Sequence, residues 1–479
     1  MTPPAASALN PALAGRTIHF IGVGGAGMSA IARIMLQLGV AVSGSDGQDS
    51  PVLAQLRAQG AQIHLGHDAA HLGAADTVVY SSAIRADNAE FAQAQRAGLR
   101  IWHRSEALAA VMSGTVIAVA GTHGKTTTTS MTVVALRGGA LDPGFAIGAV
   151  VAELGSNAAL GSSPIFVAEA DESDGSFLNY RPQIAVVTNI EADHLDHYGT
   201  AEAVNRAFED FAALLPAGGL LVACADDAGA SALADRTVPR ARVVRYGRSE
   251  AAQWRISGGI SGEAGGAVLT TPTGEQLVLN LAVPGEHNVL NAVAAVAVAS
   301  ELGVEPAAAL AALAGFRGAA RRFEAKGEAR GVRVFDDYAH HPTEVRAALQ
   351  GARAVAGEGK VRVLFQPHLF SRTQAFAADF AHALRGADEA YVLDIYAARE
   401  DPVPGVDSRI ITEAAALAVS AEDAGAGRGT LHYAPDAAAA VGALAASSAA
   451  GDVLLTIGAG DVTRWGSVLL TELEASDAT

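Results

Sequence analysis

The chain has one cysteine, Cys224, so no internal disulfide framework can exist. Cys224 follows the apolar run 220–223, which points to a buried thiol rather than a nucleophile. Charge is also scarce: 17 % of residues are charged, and 33 Lys and Arg face 50 Asp and Glu, a net of −17. That balance argues against a polyanion-binding surface and leaves room for a local basic pocket that holds phosphates. No nucleic-acid partner is therefore expected. No uninterrupted apolar stretch reaches the ~20 residues of a membrane span, and the Ala-rich stretch 289–299 is broken by Asn291. The first basic residue is Arg16, so the basic start of a signal peptide is not seen. The expectation is a cytoplasmic protein with no membrane partner, a monomer or a weak homodimer. Half the residues are apolar, as in a globular chain, and 479 residues imply two to four domains at ~100–200 residues each.

What is present centres on residues 116–130. An apolar run, 116–120, enters Gly121-Thr122-His123-Gly124-Lys125-Thr126-Thr127 and then a Thr-rich stretch that reads as a helix. Small residues let backbone N–H groups converge on an anion, and the following helix N-terminus adds donors and a favourable dipole. Lys125 offers a positive charge for the outer phosphates, and Thr126 offers a hydroxyl to Mg²⁺. The strict phosphate-loop pattern has Gly six residues before the Lys. Here that residue is Val119, so the match is to the shorter Gly-x-x-Gly-Lys-Thr.

In chain order, residues 1–15 hold Pro3, Pro4 and Pro11 without periodic pattern and read as a loose tail. Residues 17–21 read as a buried strand that enters a Gly-x-Gly-x-x-Gly turn at Gly22, Gly24 and Gly27, with Gly25 inside it. A helix is expected over 28–38 and a strand over 40–43, ending near Asp46. This is a dinucleotide-binding fingerprint, and it equally suits any diphosphate linked to a ribose. Strands at 77–81 and 99–102 complete a first α/β domain. A strand at 164–168 delivers the acidic run Glu169-Ala170-Asp171-Glu172-Ser173-Asp174, and one at 184–189 delivers Glu191, Asp193, His194 and His197. Carboxylates at strand ends beside a phosphate loop suit Mg²⁺. A strand at 220–223 and a β-like stretch from 254 to 283 follow, then a helix opened by His287, Asn288 and Asn291, natural caps that could also contact a base. A third α/β pattern has strands at 332–335, 361–365, 390–393 and 453–457. Its strand ends carry Asp336, Asp337, Tyr338, His340 and His341, then Gln366 and His368, then Asp394. Such clustering is expected of open parallel sheets with one functional edge.

Taken together, residues 120–130, 169–174, 188–199, 285–291, 321–324 and 336–343 resemble the Mur ligases along essentially the whole chain. The resemblance implies an α/β fold of three domains, each built on a mostly parallel sheet: 1–107 for a UDP-sugar, 108–323 for ATP and 324–479 for an amino acid. It implies peptidoglycan precursor synthesis, in which L-alanine is joined to the lactyl carboxylate of UDP-N-acetylmuramate through an acyl phosphate, with ATP and Mg²⁺. By the same resemblance, Gly121, Thr122, His123, Gly124, Lys125, Thr126 and Thr127 hold the nucleotide phosphates. Asn288 and Asn291 contact adenine, Asp337 the ribose, and Arg321 or Arg322 the phosphates. Thr126 and Glu169 bind one Mg²⁺, and His194 a second. Gly22, Gly24, Gly25, Gly27, Asp46, Ser81 and Ser82 hold the UDP-sugar. Tyr338, His340 and Arg372 form the amino-acid site, where Arg372 grips the carboxylate and His340 positions or deprotonates the amine. Lys125, His194, His340 and Arg372 take the catalytic roles.

Two departures from the family pattern stand out. Many relatives have Arg where this chain has Leu369. Sister ligases have a carbamylated Lys that helps hold the second metal, where this chain has Phe208. Three other readings stay open. A nicotinamide-dependent dehydrogenase would explain residues 17–46 only. A ligase attaching a ready-made peptide would differ in pocket size. A nucleotide-switched binding protein would need no second metal.

Overall fold

The computed structural model describes residues 10–258, 266–398, 400–419 and 429–475. The chain forms three α/β domains on mostly parallel sheets, gathered into two compact units. Two sheets belong to the first unit, which runs through residue 259 and includes 266–282 and 288–317. One sheet belongs to the second, which holds 318 onward and 283–287.

The first sheet comprises β1 (Thr17–Ile21), β2 (Ala41–Asp46), β3 (Gln62–Leu65), β4 (Thr77–Tyr80) and β5 (Arg100–His103). Its order is β3-β2-β1-β4-β5, and every pairing is parallel. Ile18, Phe20 and Ile21 are fully buried, as an inner strand covered on both faces requires. The strand order reverses at β1, which opens a crevice at its carboxyl end. Register places Ile21 opposite Ser45, so the glycine turn after β1 sits beside Asp46. The helix that follows is Ala26–Gln37, two residues earlier at its start than the apolar spacing suggests. The loose tail expected over 1–15 is corrected from residue 10 onward. Asn10 Nδ2 donates to the Ala110 carbonyl at 2.8 Å, and Leu13 is buried. Residues 1–9 lie outside the described residues.

The second sheet has β6 (Thr115–Ala120), β7 (Gly144–Val151), β8 (Ser156–Ala159), β9 (Ile165–Glu169), β10 (Ile184–Val187), β11 (Leu220–Cys224), β12 (Arg242–Gly247), β13 (Trp254–Ser257), β14 (Gly266–Thr270) and β15 (Gln276–Asn280). Their order is β15-β14-β13-β12-β11-β10-β6-β9-β7-β8. The centre is parallel, and antiparallel pairs close both edges. β6 lies between β9 and β10, so the loop after β6 faces the ends of both. The helix Lys125–Gly138 tolerates its Thr-rich start because Thr129 and Thr132 return their hydroxyls to the Lys125 and Thr128 carbonyls at 2.7 Å. In the helix Ala201–Ala213, Val204, Phe208 and Phe211 face the core, as expected. Phe177 stacks on Phe211 and meets Phe208 edge-on. Asn157 of β8 donates to the Ala26 carbonyl at 2.9 Å and accepts from Arg33, which ties the second sheet to the helix after the glycine turn.

The third sheet, in the second unit, contains β16 (Glu324–Ala329), β17 (Val332–Asp337), β18 (Val361–Phe365), β19 (Glu389–Val392), β20 (Thr430–Tyr433) and β21 (Val453–Ile457). Its order is β16-β17-β21-β18-β19-β20, with only β16 antiparallel. One face packs on the helices Pro342–Ala356, Ala377–Leu384 and Arg409–Val419 through Val345, Phe380 and Ile411. The other packs on Ala437–Ser447 and Arg464–Ala475 through Leu444 and Leu469.

Candidate active site

The loop after β6 is held open by the strand end after β10. Gly121 has φ +138°, and a Cβ there would stand 2.0 Å from Thr188 Oγ1, so only glycine fits. Asn189 accepts from the His123 and Thr122 amides, and the Thr188 hydroxyl donates to the His123 carbonyl at 2.6 Å. Lys125 Nζ donates to the carbonyls of Gly121 and Thr122 at 2.8 and 3.0 Å and to Glu172 Oε1 at 2.9 Å. Burial works against the Lys125 charge, but Glu172 and Asp171 outweigh it and push the ammonium upward. Burial pushes the Glu172 carboxyl up to about 7, with Asp171 adding and Lys125 opposing.

Thr126 donates its hydroxyl to Glu169 Oε1 at 3.0 Å, and Glu169 Oε2 accepts from the Gly148 amide at 2.8 Å. Glu169 is the last residue of β9, not the first beyond it. His194, in the left-handed region at φ 54°, sets Nε2 3.6 Å from Glu172 Oε1. Non-glycine residues in that region concentrate at functional sites. Thr127 is buried in the first turn of the helix. Asn291 accepts from the Thr128 hydroxyl at 3.0 Å and lies 3.5 Å from Asn288, so the two caps brace the loop's helix.

At the first sheet, the Gly22 and Val23 amides donate to the Ser45 carbonyl, and Gly24 N donates to Asp46 Oδ2 at 2.9 Å. Gly25 caps the helix that contains Gly27. Arg104 lies close to Gly27 and donates to Asp171 Oδ2 at 2.6 Å, and Ser82 donates to Asp174 at 2.9 Å. Ser81 is half-buried at the end of β4 and accepts from the Ile84 amide through its carbonyl. A cavity of about 130 Å³ joins Gly27 and Arg104 to Gly148, Glu169 and Asp171. The glycine turn and the acidic strand end thus share one space. The Lys125–Glu172 and Arg104–Asp171 contacts escape sequence reasoning, although Glu172 and Asp171 both lie in the acidic run 169–174.

Near Asp46, Glu90 is fully buried and gathers a polar cluster. It accepts from the Ser45 hydroxyl at 2.6 Å, and the His67 and His71 Nδ1 atoms lie 3.1 and 3.0 Å from its oxygens. Burial would raise its pKa, yet bonds from His19, Ser45 and His67 hold it down at about 2. Nothing in the sequence pattern singles it out.

In the second unit, Arg321 donates to the Gly458 and Gly460 carbonyls and stacks over Tyr338 at 4.7 Å. Tyr338 meets His340 edge-on, and His368 lies 6.1 Å from His340. Asp337 accepts from the Phe323 and Ala339 amides, and burial pushes it up to about 6. Arg372 is buried in the short helix Phe370–Ala375. Leu369, buried before that helix, has φ 71°, a conformation costly for a bulky residue. The structure therefore gathers Tyr338, His340, Asp337 and Arg321 at the ends of β17 and β21.

Comparison with known proteins agrees with this layout. Family profiles described as "Mur ligase family, catalytic domain", "Mur ligase middle domain" and "Mur ligase, glutamate ligase domain" match residues 17–115, 119–299 and 321–460. A Paenarthrobacter aurescens protein named UDP-N-acetylmuramate–L-alanine ligase is 61 % identical over 95 % of this chain and 97 % of its own length. One of the same name from Kineococcus radiotolerans is 54 % identical over 99 % of both. The crystal structure of a UDP-N-acetylmuramate–alanine ligase from Thermotoga maritima is 30 % identical, with a TM-score of 0.78 over 96 % of this chain and 100 % of that one. A murein peptide ligase from Psychrobacter arcticus gives 27 % and 0.71, over 96 % of this chain and 99 % of that one. With its three matched domains in this order and such relatives along its full span, the chain belongs to the Mur ligase family.

Proposed function

We propose that the chain joins L-alanine to the lactyl carboxylate of UDP-N-acetylmuramate, converting ATP to ADP and phosphate, as a step of peptidoglycan precursor synthesis. The observation that carries this reading is the pairing of Lys125 with Glu172 and of Thr126 with Glu169 at the loop. It occurs in a chain 61 % identical, over 95 % of its length, to a ligase of that name. Residues 1–107 take the UDP-sugar, 108–323 the ATP and 324–479 the amino acid, in the cytoplasm. No helix among the described residues is long and apolar enough to cross a membrane.

The chemistry follows from the reactants. A carboxylate is a poor electrophile, so its oxygen attacks the γ-phosphorus of ATP and ADP leaves. The alanine amine then adds to the acyl phosphate, loses a proton and expels phosphate, leaving an amide. Lys125 turns from Glu172 toward the γ-phosphoryl group and offsets its charge. The Thr126 hydroxyl and Glu169 carboxylate, 3.0 Å apart, would hold one Mg²⁺, and His194 would ligate a second. When bound, the ion neutralises charge on the transferring group. The turn Gly22–Gly27 and the helix it opens take the diphosphate, and Asp46 lies toward the uridine ribose. Asn288 and Asn291 flank adenine, Asp337 the ribose of ATP, and Arg321 its phosphates. Arg372 takes the alanine carboxylate, while His340 accepts the amine proton.

The test is phosphate release from UDP-N-acetylmuramate and Mg-ATP with L-alanine, glycine, L-serine or a ready-made tripeptide. Release that depends on L-alanine is expected. Release with the tripeptide alone would overturn the assignment in favour of a peptide-adding ligase.

A further inference from the structure

The second unit carries a basic cavity that none of the residues above line. It holds about 280 Å³ between the helices Pro342–Ala356 and Ala377–Leu384. Arg346, Leu349, Gln350 and Arg353 recur at one helical face on the first, while His382 and Arg385 close it at the end of the second. Arg385 decides the chemistry. It is 8 % exposed, its Nε is buried without a hydrogen bond, and its guanidinium has no partner among the described residues. Arg353 is already neutralised, with Nη2 2.7 Å from Asp388 Oδ2. Arg346 is exposed and, among the described residues, bonds only the Thr343 hydroxyl, at 3.0 Å. Two uncompensated guanidinium charges thus share one concavity in a chain whose net charge is −17.

A cation at the C-terminal end of a helix interacts favourably with its dipole, and Arg385 stands at such an end. That accounts for a solvated Arg, not for a buried unpaired one beside two more. A buried charge without a counter-ion is costly, and an arginine fork matches phosphoryl oxygens two at a time. Two free positive charges match a dianion better than a carboxylate. We propose that this cavity binds a dianionic phosphoryl group, as inorganic phosphate or as the head of an organic phosphate ester whose body lies against Leu349.

The test is calorimetric titration of the full chain at pH 8 with saturating Mg-ADP, so that the loop at Lys125 is filled. Inorganic phosphate, phenyl phosphate and acetate are compared at fixed ionic strength. Saturable binding of phosphate is expected, with affinity at least tenfold weaker in Arg385→Gln and several-fold weaker in Arg346→Gln. Ligation turnover should stay at the parent value in both. Tighter binding of phenyl phosphate identifies an ester as the ligand, and equal binding identifies phosphate itself. If Arg385→Gln fails to fold, Arg385→Lys keeps the charge without the fork and should still bind several-fold more weakly. No saturable phosphate binding to the parent, acetate binding as tightly as phosphate, or unchanged affinity in the Arg385 variant would overturn the proposal.

Discussion

Lys125 and Glu172 form a buried ion pair, with Nζ 2.9 Å from both carboxylate oxygens, and the same nitrogen is bonded to two carbonyls of its own loop. At the proposed phosphate site the cation is thus already engaged. A nucleotide bound there would exchange one anion for another rather than add charge to an empty cradle.

Lys125→Ala should lower turnover by orders of magnitude while UDP-N-acetylmuramate affinity stays near the parent value. It also removes the ammonium that opposes the upward shift of the Glu172 carboxyl, which then takes up a proton on folding at a cost of ~3 kcal/mol at pH 7. The double variant Lys125→Ala/Glu172→Gln should therefore melt above the single one. Melting curves in the reverse order would show that the pair carries no such energy.

Gly24→Ala should act on substrate binding alone. Its Cβ would stand 2.8 Å from Asp46 Oδ2, so the carboxylate that the Gly24 amide now holds must move. An increase of roughly tenfold in KM for UDP-N-acetylmuramate is expected, since one charge-assisted hydrogen bond contributes ~1.5–3 kcal/mol. Steady-state kinetics should show kcat within a few-fold of the parent, and an unchanged KM would remove Asp46 from the substrate site.

Acid stability should depend on Glu90. Its carboxyl sits at about 2 in the fold against 4.5 for the free group. A depressed carboxyl pKa stabilises the fold above the unfolded value and loses that contribution as pH falls through the folded one. The window is therefore pH 4.5 down to 2. Glu90→Gln should cost on the order of 3 kcal/mol at pH 7 and flatten the pH dependence of unfolding in that window. Urea unfolding at pH 3, 5 and 7 measures it. A parallel loss at all three pH values would mean that Glu90 acts by packing only.

Turnover should not respond to bicarbonate. Phe208 is fully buried, with its ring 5.5 Å from that of Phe177, and offers no amine to carbamylate. Rates at fixed pH and Mg²⁺ should match in carbon-dioxide-depleted and bicarbonate-supplemented buffer. A clear rate rise on adding bicarbonate would mean that a lysine elsewhere is modified.

Strands that are continuous apolar runs, such as β10 and β11, are legible because burial on both faces leaves that trace. β3, β16 and β20 were missed: Gln62-Ile63-His64-Leu65 is short and half polar, and edge strands need little apolar surface. The loop and its carboxylates were legible as a motif. Their pairing was not, because Lys125 and Glu172 lie 47 positions apart and only the β6–β9 register makes them neighbours. The Glu90 cluster draws on His19, Ser45, His67 and His71, whose spacing follows no local period.

Cys224 ends β11 at 3 % exposure, and burial pushes its thiol up to about 11. Alkylating reagents attack thiolates, and this one is both protonated and out of reach. The natural sequence therefore already behaves as a cysteine-free background. A cysteine placed on the surface of any domain would take a spin label or fluorophore selectively, and distances between labelled domains during turnover could be followed without first altering the core.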